Sequence, residues 1–82
     1  MLISTQISIY PLRQHRLTPA VEAVGTALAA HGLKPAVGPM STVVVGEDRE
    51  IFAALREAFA TAAEAGPVVM TVTVSNACPI PH

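Results

Sequence analysis

Two rows of neutral hydrogen-bonding side chains stand out in the sequence. Ser4, Gln6, Ser8 and Tyr10 alternate with apolar neighbours near the start, and Thr71, Thr73 and Ser75 do the same near the end. A hydroxyl both donates and accepts, and a carboxamide offers a donor beside an acceptor. A surface made of such groups suits a polar heterocycle with amino and hydroxyl substituents. A solvated sheet face, or one buried between subunits, accounts for the same row.

The residues able to do covalent or metal chemistry are few. Cys78 is the single cysteine; it would need an adjacent base to act as a thiolate, and no histidine is spaced to serve it. His15, His31 and His82 have no metal-ligand spacing. His31 reads as a residue in the last turn of a helix, where a cation complements the dipole. Glu47, Asp48 and Glu50 read as the acidic first turn of another helix, and Glu22, Glu57 and Glu64 as solvated helix faces. No glycine-rich phosphate loop is present. The reading is therefore no catalytic residue, no metal, no cofactor and no enzymatic activity.

These rows need strands to present them. Leu2–Tyr10 alternates with period two, placing Ile3, Thr5, Ile7 and Ile9 on one face and the polar row on the other. Thr18-Pro19 opens a helix whose stripe is Val21, Val24, Leu28 and His31, ended by Gly32. Gly25 lies inside that helix, which suggests close approach of another backbone. Leu33–Gly38 and Ser41–Val45 are short strands around a Gly38-Pro39 turn. Glu47–Ala65 is a second helix with Ile51, Phe52, Leu55, Phe59 and Ala62 as its buried stripe. Val68–Ser75 is the last strand, with Val68, Met70, Val72 and Val74 on one face. The order β-α-β-β-α-β predicts one α+β domain over residues 1–82, a ferredoxin-like sandwich: a four-stranded antiparallel sheet with both helices on one face. The polar rows fall on the other.

Composition narrows the partners. A chain of 82 residues buries only about 60% of its unfolded surface, yet 51% of it is hydrophobic and 13% charged. Association into a homodimer or homotetramer is the natural outlet for that excess. A net charge of −1 gives no basic stripe for nucleic acid, and no apolar run approaches the ~20 residues of a membrane span. Met1–Tyr10 lacks the basic and apolar regions of a signal peptide, and a lone cysteine fits a reducing compartment. The expected location is the cytoplasm.

Several segments together resemble one family. Ile7-Ser8-Ile9-Tyr10-Pro11-Leu12, Val37-Gly38-Pro39-Met40-Ser41-Thr42-Val43, Phe52-Ala53-Ala54-Leu55 and Val74-Ser75-Asn76-Ala77-Cys78-Pro79 are similar to the thiamine-binding (YkoF-like) family. The resemblance implies a ferredoxin-like fold, sheets paired face to face in dimers or tetramers, and non-catalytic binding of thiamine or its hydroxymethylpyrimidine moiety. Val45 stands where some members carry an acidic residue. On this resemblance the ligand site is Gln6, Ser8, Tyr10, Met40, Ser41, Thr42, Thr73 and Asn76. Gln6 or Asn76 would match the aminopyrimidine edge, Ser8, Ser41 and Thr42 would offer hydroxyls, and Met40 and Tyr10 would pack on the ring. The alternative is a structural or regulatory oligomerisation module without a ligand.

Overall fold

A computed structural model describes residues 1–13, 18–38 and 41–77. The chain runs β1 (Leu2–Pro11), α1 (Thr18–Ala30), β2 (Ala36–Val37), β3 (Thr42–Glu47), α2 (Asp48–Ala63) and β4 (Val68–Ser75). The strands form one antiparallel sheet in the order β2-β3-β1-β4. With two helices on this sheet, the architecture is the ferredoxin-like α+β fold that the element order predicts.

β1 lies inside the sheet and pairs on both sides, Gln6 standing opposite Val43 of β3 and Thr73 of β4. Its alternation holds: Ile3, Thr5, Ile7 and Ile9 are buried, while Gln6 and Tyr10 are exposed. The buried set joins Val44, the α1 residues Ala20, Ala23, Val24, Ala27 and Leu28, and the α2 residues Ile51, Ala54, Leu55, Ala58 and Ala62 in one core. Val68, Met70 and Val72 of β4 pack against its margin.

α1 ends in a Schellman motif. Gly32 adopts φ +74°, its N–H donates to the Ala29 carbonyl, and the Leu33 N–H reaches back to the Leu28 carbonyl. Leu33 then lies over Gly46 of β3 so closely that a Cβ there would meet Leu33 Cδ2 at 2.5 Å. A glycine at this point of β3 lets the chain leaving α1 cross the core face of the sheet.

Four sequence expectations change. Phe52 and Phe59 are 52% and 45% exposed; the buried stripe of α2 is Ile51, Ala54, Leu55, Ala58 and Ala62. Small side chains at 54, 58 and 62 seat the helix, and the aromatic pair is turned away. A Cβ on Gly25 would meet nothing within 4 Å, so among the described residues no backbone crosses α1 there. The second strand is two residues rather than six, because the Schellman turn and Leu33 use the preceding stretch. β3 runs to Glu47, and α2 begins at Asp48.

Two substitutions test this packing. Thr5 is 2% exposed and its Oγ1 has no hydrogen-bond partner. An unpaired buried hydroxyl costs about 1–3 kcal/mol. Thr5→Val keeps the shape and should raise stability by about 1 kcal/mol, seen in urea unfolding as a higher midpoint with unchanged slope. Gly25→Ala should add about 0.5–1 kcal/mol through helix propensity; a loss of stability would mean that α1 packs more tightly than described.

Candidate functional site

The face of the sheet away from the helices is built from alternate residues of every strand. Register sets its rows. Ser4 lies between Val45 and Ser75, Gln6 between Val43 and Thr73, Ser8 beside Thr71, and Tyr10 beside Val69. Ala36 of β2 extends the Gln6 row beyond Val43. The face is thus divided: β1 and β4 contribute hydroxyls and an amide, while β3 contributes the exposed apolar pair Val43 and Val45. Their exposure escaped the sequence reading because Val43, Val44 and Val45 form an uninterrupted apolar run. Only the register shows that the middle one points to the core.

One interaction fixes the chemistry of this face. Gln6 Nε2 donates to Ser41 Oγ at 3.2 Å, across 35 residues of sequence. Ser41 is held from the other side by its own carbonyl, which accepts the Gly38 N–H at 2.8 Å. With Ser41 Oγ as acceptor, its O–H remains available to donate, and Gln6 keeps its carbonyl oxygen and a second N–H. Donor and acceptor atoms therefore lie side by side in an uncharged row of this face, whose described carboxylate, Glu47, stands at the far end of β3 opposite Leu2.

Of the expected site residues, Gln6, Ser8, Tyr10 and Thr73 share the open face, and Ser41 joins them through Gln6. Thr42 does not. It pairs with Ile7 and is 6% exposed, so it faces the helices and belongs to the core side. Asn76 is also separate. It follows β4 three residues beyond Thr73, about 10 Å along the strand direction, where its amide contacts Met1 Sδ at 3.5 Å. Met40 and Cys78 lie outside the described residues.

Residues 5–76 match the family model described as thiamine-binding protein. The chain belongs to the thiamine-binding protein family. No curated protein matches it. Among solved structures, a Streptococcus pneumoniae protein is similar at 26% identity and TM-score 0.80, over 92% of this chain and 86% of the other. A hypothetical protein of Methanocaldococcus jannaschii reaches TM-score 0.85 at 23% identity, over 98% and 84%. A Thermotoga maritima protein, proposed to act in thiamine biosynthesis or salvage, gives TM-score 0.76 at 22% identity, over 90% and 82%.

The charged groups of this family member gather elsewhere. Glu47 and Asp48 hold the Met1 ammonium at 2.8 and 3.0 Å, and that ammonium draws the Asp48 carboxyl below its usual range. His31, at the end of α1, bridges two carboxylates of α2. Its Nε2 meets Glu57 and its Nδ1 meets Glu50 at 3.1 Å. Glu57 is thus not merely solvated, Glu50 keeps its place in the acidic first turn of α2, and His31 ties the two helices together. Among the described residues no group of three His, Cys, Asp or Glu side chains is placed to hold a metal ion. No helix among them is long and apolar enough to cross a membrane.

Glu57 first, and Glu50 second, raise the His31 pKa above its ordinary 6.5. A raised folded-state pKa gives stability that is full below the unfolded value and lost as pH rises through the folded one. An NMR titration should place His31 above about 6.5. His31→Ala should destabilise the fold more at about pH 6 than at about pH 9; an equal loss at both would show that the bridge is not charged.

Proposed function

We propose that this protein binds thiamine, or its hydroxymethylpyrimidine moiety, on the open sheet face and performs no reaction on it. Membership of the thiamine-binding protein family supports the ligand class. The Gln6–Ser41 hydrogen bond is the observation that supports the place. An aminopyrimidine presents an amino donor next to a ring-nitrogen acceptor, and the Gln6 carboxamide presents the complementary pair. The Ser41 hydroxyl and the neighbouring Thr73 and Ser8 suit the hydroxymethyl substituent, while Tyr10 and Val43 provide surface for the ring. No charged side chain lies in the Gln6 row; Val45 offers no carboxylate for the thiazolium cation, and Glu47, farther along the same face, is engaged by the Met1 ammonium. These groups therefore favour the pyrimidine half.

A polar site on an open sheet face recognises a small ligand strongly only when water is excluded. A second copy stacked sheet to sheet would do this, giving a homodimer or homotetramer, with the cytoplasm as the compartment that the lone cysteine suits. Val43 and Val45 are the apolar surface such stacking would cover.

Calorimetric titration of thiamine and hydroxymethylpyrimidine tests the reading. Leaving a buried polar group unpaired costs about 1–3 kcal/mol, so Gln6→Ala should weaken binding about 5- to 150-fold. Thr42→Val, on the helix side, should leave the affinity unchanged. Absence of binding by the wild type at millimolar concentration would refute the ligand. Binding that ignores Gln6→Ala would move the site elsewhere.

A further inference from the structure

The polar groups in the middle of the open face are all of one kind. Gln6, Ser8, Thr71 and Thr73, with Ser41 beside them, supply hydroxyls and one carboxamide. Each hydroxyl is neutral and both donates and accepts. Such groups match an alcohol, which does the same. They do not match a phosphate monoester. That group carries a charge of about −1.5 to −2 and presents strong acceptor oxygens. Proteins hold it with cations, or with unpaired backbone N–H groups at a helix start or in a nest.

Among the described residues the middle of this face has neither. From Ser4 to Ile7, β1 pairs on both sides, so its backbone N–H groups are engaged within the sheet. The rows through Ser4, Gln6 and Ser8 contain no lysine or arginine. The described cations stand elsewhere. Arg49 and Arg56 belong to α2, on the other side of the sheet. Lys34 lies in the connection between α1 and β2. Arg13 follows β1 beyond Pro11, which is itself about 17 Å along the strand from Gln6. At the other end of the face, the Met1 ammonium is met by two carboxylates, Glu47 and Asp48. That end therefore carries a surplus of negative charge.

Resting on the ligand site proposed above, we infer that the open face selects the free hydroxyl of its ligand and rejects the phosphate ester. The hydroxyl keeps a donor and an acceptor partner inside the site. The ester exchanges water for a neutral surface and gains no counter-charge there. Neutrality at Ser8, Thr71 and Thr73 sets this preference, and the carboxylates at the Met1 end reinforce it. Transfer of a phosphoryl group to the ligand's hydroxyl therefore also releases the ligand from this protein.

Calorimetric titration with two matched pairs tests it: hydroxymethylpyrimidine against its phosphate, and thiamine against thiamine monophosphate. In each pair that binds, the ester should bind at least about tenfold more weakly, as expected when a polar group is buried without a partner. Thr71→Lys places a cation beside Ser8 and should lower the alcohol-to-ester affinity ratio about tenfold. Val43→Lys, opposite Gln6, should lower the same ratio and gives the reading if Thr71→Lys does not fold. An ester that binds as tightly as its alcohol overturns the inference and leaves the ligand site standing. So does a ratio that neither lysine moves. If none of the four compounds binds, the ligand site itself fails and the inference falls with it.

Discussion

β1 must satisfy two partners at once. Its backbone bonds to β3 on one side and β4 on the other, so a one-residue slip would turn every side chain to the opposite face. Placing Ile3, Ile7 and Ile9 under the helices therefore fixes Ser4, Gln6, Ser8 and Tyr10 on the open face in the same step. The hydrophobic effect does the choosing, at about 25 cal/mol per Å² of apolar surface removed from water. The polar face is what remains. Thr5 is caught by the same alternation: its parity sends it to the core, where its hydroxyl finds no partner.

The helices depend on a second kind of economy. Ala20, Ala23 and Ala27 of α1 and Ala54, Ala58 and Ala62 of α2 are buried in the core. Small side chains let the two helices lie close to each other and to the sheet, giving dense packing with little volume. The cost is a core with few large residues, which leaves Phe52 and Phe59 outside it. Where the helices meet near the end of α1, the His31 bridge to Glu50 and Glu57 holds them in register.

This division explains what could be seen in advance. The alternation of β1 from Ile3 onward and of β4 from Met70 onward is legible because each apolar residue there has a polar neighbour, and Gly32 and Gly66-Pro67 mark where helices stop. The phase of α2 is not legible from residue size. Large apolar side chains mark a buried stripe only where the core has room for them, and here alanines occupy the seat. Thr42 fails for another reason. In a run of β-branched residues either parity fits, and the choice is made by pairing with Ile7. The Gln6–Ser41 bond is prefigured only in the polarity of its two members. Likewise the His31 bridge spans two helices, and no local pattern links 31 to 50 and 57.

The sheet has two unlike borders. β2 contributes only Ala36 and Val37, whereas β4 offers eight residues. The difference follows from the Schellman turn and from Leu33 lying over Gly46, which leave the chain too little length to run alongside β3. Lateral growth of a sheet into a filament requires adhesive margins at both sides, so that each added molecule presents a new one. Here one margin is truncated. A sheet with a single long margin cannot add molecules on both sides, where a symmetric sheet of the same composition could polymerise.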